Sequence, residues 1–170
     1  MCVALGCPHP YLAIESLTGP KEVWYFNGYR SSADRQQVVD DYAHNAALIA
    51  GLGRSGARKA ALTLDQINVF STYREDLSRG DPWAPGQGRF LVITMTKRVP
   101  ATEGTVFETA DGTRFIVLPS PTREDADDRA QLAGAETNVF AVRPYWSMPD
   151  HAWVVRDPAF WLPSAQTGGV

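Results

Sequence analysis

Residues 105–120 read TVFETADGTRFIVLPS, two runs of strand composition on either side of Asp111-Gly112. An aspartate followed by a glycine supplies the positive φ angles of a tight hairpin turn. The stretch therefore predicts an antiparallel hairpin. Downstream, Thr122 followed by Asp125 has the form of a capping box. REDADDRAQLA should continue as a short helix stopped by Gly134, and TNVFAVRPYW, 137–146, as a final strand. Pro144 has no N–H to donate, so that strand ends there or runs along an edge. Upstream, GRFLVITMTKR (88–98) is a nearly continuous apolar run of strand length, and INVFSTY (67–73) has strand composition.

Nearer the N-terminus, EVWYFNGY (22–29) is β-branched and aromatic. As a strand it puts Val23, Tyr25 and Asn27 on one face and Trp24 and Phe26 on the other. Ser31 or Ser32 can cap a following helix, in which Val38, Tyr42, Asn45, Ile49 and Leu52 recur at three and four residues, with Val39 and Ala46 widening the stripe. That helix should stop near Gly51 or Gly53, with ARKAALTL (57–64) loosely helical after it. Residues 1–20, broken by PHP and TGP, are expected to be an irregular leader. Residues 21–162 are expected to form a single α+β domain, into which the aromatic tail with Trp153, Phe160 and Trp161 packs back, and residues 163–170 a disordered end.

The order strand, long helix, strand, strand, hairpin, short helix, strand predicts an α+β fold. The form expected is a ferredoxin-like sandwich with an antiparallel sheet, one long and one short helix, an extra strand and an aromatic C-terminal tail. NVF occurs at 68–70 and again at 138–140, each time opening the strand after a helix, but a repeated tripeptide is common by chance in a chain this long and adds nothing to the topology.

The chain has 170 residues, 44% of them apolar and 21% charged, as a soluble globular domain with a real core would have. A net charge of −3 without long runs of either sign gives no footprint for nucleic acid or an anionic membrane surface. No window approaches the apolar length of a bilayer span, and the opening sixteen residues lack a basic n-region, so neither a membrane segment nor a cleaved signal is expected. Cys2 and Cys7 lie too close together to staple distant parts of the fold, and a reduced, cytoplasmic setting fits them.

The element order over about residues 22–146, together with the aromatic first strand EVWYFNGY, resembles the dimeric α+β barrel superfamily, which includes antibiotic-biosynthesis monooxygenase-like and NIPSNAP-like proteins. That resemblance implies two sheets paired across a homodimer and a space between sheet and helices that holds a small molecule, sometimes haem. The extra strand and the aromatic tail depart from the simple pattern, and no catalytic residue carries over.

Several motifs invite a chemical reading. GLGRSG, 51–56, has the G-x-G-x-x-G form, but a dinucleotide site needs its first glycine at a strand end and its last at a helix start. Here it follows the long helix and reads as a helix stop and turn. Cys2, Cys7 and His9 lack the second ligand pair of a zinc site, so no metal is assigned. His44 lies one helical turn after Asp40, whose carboxylate can hold the imidazole as an acid or base; a solvated i, i+4 pair is the plain alternative. His151 stands beside Asp150 in the same way.

The candidate catalytic set is Tyr73, Asp76, Arg143, Tyr145 and His44. A phenol and a fixed guanidinium in one cavity would bind an anionic or enolate-like oxygen, with Asp76 as base. The alternative is that Arg74 and Asp76 form a loop ion pair while the aromatic rings fill the core. Trp24, Phe26, Asn27 and Trp146 are the candidate ligand-binding residues.

The function expected is a small-molecule enzyme without a nucleotide cofactor, of isomerase, cyclase or monooxygenase type, acting on a small hydrophobic or aromatic molecule. The alternatives are a ligand- or haem-binding protein and a homodimeric protein-interaction module.

Overall fold

The computed structural model describes residues 9–60, 65–98, 103–133 and 136–162. Cys2, Cys7, Gly134 and the segment 163–170 lie outside the described residues. The chain forms two compact units, one made mainly of Asn27–Val69 and the other of Tyr11–Phe26 with Phe70–Val170.

The first unit contains two helices, α1 (Ser32–His44) and α2 (Ala46–Ala60). Ser31 caps α1, its hydroxyl accepting the Asp34 N–H at 3.1 Å. The break falls at Asn45, not at Gly51 or Gly53. Asn45 closes α1 through its own N–H, donated to Tyr42 O, and its side-chain oxygen accepts the Leu48 N–H at 2.9 Å to open α2. An asparagine favours such a cap because its side chain replaces the missing intrahelical partner. The expected continuous stripe is interrupted accordingly: Val38 and Leu48 are buried, whereas Val39, Ile49 and Leu52 are exposed. GLGRSG lies inside α2, so its glycines neither stop the helix nor follow a strand, and the context that a dinucleotide site needs is missing.

The second unit is built on seven antiparallel strands: β1 (Leu12–Ser16), β2 (Val23–Phe26), β3 (Ser71–Tyr73), β4 (Phe90–Thr96), β5 (Thr105–Thr109), β6 (Arg114–Ser120) and β7 (Thr137–Val142), in the order β2-β1-β7-β4-β6-β5-β3. The β5–β6 hairpin forms, but through a three-residue loop, 110–112, in which Gly112 alone takes a positive φ, +81°, a conformation open to glycine at little cost, while Asp111 does not. Thr122 accepts the Asp125 N–H at 3.2 Å and opens α3 (Arg123–Ala133). Both β6 and β7 run antiparallel to β4, so they are parallel to each other with β4 between them, and α3 joins them. This is one split β-α-β unit.

Leu12–Ser16, which the sequence reading placed in an irregular leader, is a strand held between β2 and β7. Leu12, Ala13 and Ile14 are all buried. INVFSTY is shorter as a strand than expected, only Ser71–Tyr73 pairing with β5. β7 ends at Val142 and residues 144–146 form a 3-10 turn, as the missing N–H of Pro144 requires.

Both faces of the sheet centre are covered. On one face Leu12, Ile14, Leu91, Ile93, Val117, Phe140 and Val142 pack with Trp153 and Trp161, which come from the short tail helices α4 (His151–Arg156) and α5 (Pro158–Trp161). Trp153 donates its indole N–H to Trp83 O at 3.1 Å. Gly86 lies flat on this ring, where an added Cβ would stand 1.9 Å from it. On the other face Ala126 and Ala130 of α3 pack on Val92, Val139, Phe90 and Leu118.

Candidate functional site

The margin formed by β5 and β3 is built differently from the centre. The Arg74 N–H donates to Val106 O at 2.9 Å. Antiparallel strands alternate bonded and non-bonded pairs, so the Thr72–Glu108 pair also directs its backbone groups inward. Ser71 and Tyr73 therefore turn their N–H and C=O groups outward, and among the described residues no strand pairs with that edge.

Thr72 lies opposite Glu108, and Glu108 opposite Arg114, so the three share the α3 side of the sheet. An ionic chain runs along this margin. Arg74 grips Asp76 through two bonds of 2.8 and 2.7 Å and reaches Glu108 Oε1 at 2.9 Å. Glu108 Oε2 accepts from Arg114 Nε at 2.6 Å, and Arg114 also donates to Lys97 O. Beside the chain an open groove of about 350 Å³ is lined by Phe70, Ser71, Thr72, Arg74, Glu108, Thr109 and Ala110. Phe70 is 68% exposed.

Hydrogen bonds from Arg74 hold the Asp76 carboxyl below the usual aspartate range, and Asp76 raises Arg74 in return. Asp111, in the hairpin turn, is held low mainly by the Thr109 hydroxyl, with help from the Thr113 N–H and Lys97. Carboxylates so stabilised accept a proton less readily than free ones, and both Asp76 oxygens are taken up by Arg74.

The expected catalytic set does not converge. Tyr73 is opposite Phe107, and Phe107 opposite Phe115, which puts the phenol on the aromatic-tail side of the sheet. Its hydroxyl donates to Gly80 O at 2.8 Å. Arg143 follows Ala141, which pairs with Glu15 and Phe90 on the α3 side, and the guanidinium bonds Glu15 at 2.7 Å. Tyr73 and Arg143 thus lie on opposite layers, separated by four strand steps, about 19 Å at the usual spacing. Tyr145 is 78% exposed in the 3-10 turn. His44, in the other unit, donates to the backbone O of Asp40 at 2.6 Å, while the Asp40 carboxylate accepts from Gln36. The expected carboxylate–imidazole pair is therefore absent at this position. Asp150 likewise caps α4 through the Ala152 N–H and does not hold His151. His9 donates to Gly28 O and stacks on Tyr29 at 4.7 Å.

The candidate ligand walls also part company. Trp24 and Phe26 do share a face, but they pack against the core, Trp24 at 4.7 Å from Phe140 and 6.0 Å from Phe115. Trp146 lies beneath the Arg143 guanidinium, 5.9 Å away. Asn27 falls in the first unit.

The sequence reading missed Glu108 and Arg114, the middle of the ionic chain. A two-residue turn at Asp111-Gly112 would set Glu108 opposite Phe115; the loop has three residues, 110–112, with the Thr109 N–H donating to Thr113 O, and only this register sets Glu108 opposite Arg114, where opposite charges favour pairing. Among the described residues no group of three His, Cys, Asp or Glu side chains could hold a metal ion, and no helix is long and apolar enough to cross a membrane. Compared with known families, curated proteins and solved structures, the chain matches none.

Proposed function

We propose that this chain is a protein-interaction module that docks an extended partner segment on its β3 edge. The observation that carries the reading is the pair of outward backbone groups on Ser71 and Tyr73, next to exposed Phe70 and the groove. An unpaired edge is a ready template for strand addition, in which main-chain bonds supply affinity and side-chain grooves supply selectivity. The small-molecule enzyme expected first loses its support because Tyr73, Arg143 and a base do not meet, and the ligand- or haem-binding alternative because Trp24 and Phe26 are spent on the core.

The β6-α3-β7 unit enclosing β4 has the form of one half of a ferredoxin-like sandwich, and it supports that part of the dimeric α+β barrel resemblance. The reading is tested by following backbone amide shifts while titrating a short alternating valine-threonine peptide. Shifts confined to residues 70–74 and 106–109, lost in Ser71→Pro, are expected. Shifts that avoid this edge, or none, would sink it. Binding of a small aromatic compound at Trp24 and Phe26 would move the protein to the ligand-binding class.

A further inference from the structure

We infer that the segment docking on β3 is β3 of a second copy of this chain, antiparallel and centred on Thr72. The inference rests on the interaction-module reading and adds the identity of the partner. Only Ser71 and Tyr73 turn backbone groups outward from this three-residue strand. A two-fold axis at Thr72 sets Ser71 of each copy opposite Tyr73 of the other, and each such pair exchanges both its N–H···O bonds. All the outward groups of both strands are then satisfied. An axis at Ser71 or at Tyr73 uses one outward residue against itself and sends the other to position 69 or 75, beyond the strand. Position 75 already belongs to a 3-10 turn.

The side chains fit the same register. Residues 70, 72 and 74 point to one face, so Phe70 of one copy stands across from Arg74 of the other, where a guanidinium and an aromatic ring attract. Thr72 stands across from Thr72, a favourable cross-strand pair. Arg74 never opposes Arg74, and Asp76 balances its charge within each copy. A foreign strand could satisfy the backbone as well, and a second copy adds an aromatic residue and a guanidinium placed symmetrically about the central threonine. Isologous contacts of this kind are the commonest route to soluble oligomers.

Sedimentation velocity from micromolar to millimolar protein tests the inference, a short edge being expected to give a concentration-dependent dimer. Ser71→Pro removes an outward donor and leaves the inward bonds of Thr72 and Arg74 in place. It should sediment as a monomer throughout, with an unchanged circular dichroism spectrum and, at dilutions where the wild type is monomeric too, an unchanged melting point. Should that variant fold poorly, Thr72→Cys in a Cys2→Ser, Cys7→Ser background supplies an independent reading, because residues paired across the two-fold fall within disulfide reach. Under oxidised glutathione it should form a covalent dimer at least about tenfold faster than an Asp128→Cys control, the ordinary expectation for held against random encounter. A wild type that stays monomeric, with Thr72→Cys no faster than the control, overturns the second copy as partner. If the valine-threonine peptide still shifts residues 70–74 in that monomer, the interaction module stands and only the homodimer falls. If the peptide fails as well, both fall. A dimer that persists in Ser71→Pro, with slow Thr72→Cys crosslinking, places the interface elsewhere and also overturns the inference.

Discussion

On β4 and β7, the neighbouring residues Leu91 and Val92, and likewise Val139 and Phe140, are buried on opposite faces, one set under the aromatic tail and the other under α3. On β3, Ser71 and Thr72 are exposed, and the side-chain bonds of the α3 face there run between charges. The centre is held by apolar area removed from water, which acts without regard to direction. The margin is held by directed bonds that water partly screens. The two regions should therefore answer differently to substitution, and the margin has the freedom to change partners that the centre lacks.

The largest effect should come from Trp153→Ala. It removes a nearly buried ring that joins Trp83 and Trp161, and about 3–5 kcal/mol should be lost in a urea titration. A loss below 1 kcal/mol would mean that the tail does not cover the centre. Gly86→Ala should cost about 1–3 kcal/mol, since its Cβ would overlap the same ring; tolerance would show the tail free to shift. At the margin, Glu108→Ala strips two arginines of a shared partner and should cost about 1–2 kcal/mol, reduced by partial exposure and further by salt. Equal loss at high and low salt would contradict the screened margin.

Acid should also separate the regions. The carboxyls of Asp76 and Asp111 at the margin, and of Asp125 at the start of α3, are held low. For Asp125 the main cause is its bond from Arg129. A depressed folded pKa gives stability that is present above the unfolded value, near pH 4, and lost as pH falls below it. Unfolding free energy should thus be flat in these groups from pH 5 to 8 and decline below about pH 4. Carboxyl NMR titrations with midpoints at or above the ordinary aspartate value would refute the assigned bonds. The smallest effect is expected for Phe70→Ser, within about 0.5 kcal/mol of wild type in stability because the ring is exposed, while dimer formation is weakened.

Much of the fold could be read locally, and the failures share a cause. Asp111-Gly112, the Thr122 cap, the stop at Pro144 and the inward pairing of Trp24 with Phe26 are each decided by neighbours within a few residues. Leu12–Ser16 was missed because Leu12, Ala13 and Ile14 are buried together, which erases the alternation that marks a half-exposed strand. Asn45 falls in the apolar stripe by spacing, and spacing alone does not show that its backbone N–H bonds backward and its side chain forward at a helix break. The candidate site failed for a topological reason. Tyr73 and Arg143 each sit at the end of a strand, but strand order and face decide whether strand ends meet, and here the sheet inserts three strands between them.

The hairpin, the caps, the α+β composition and the lack of a long apolar run can be read along the chain, because turn geometry, capping and hydrophobic length are local properties. Only the tertiary structure decided that β1 joins the sheet, that the tail tryptophans cover one face, and that Ser71 and Tyr73 offer their backbone to the outside. Strand neighbours are chosen by contacts between residues far apart in the chain, and no local pattern carries that choice.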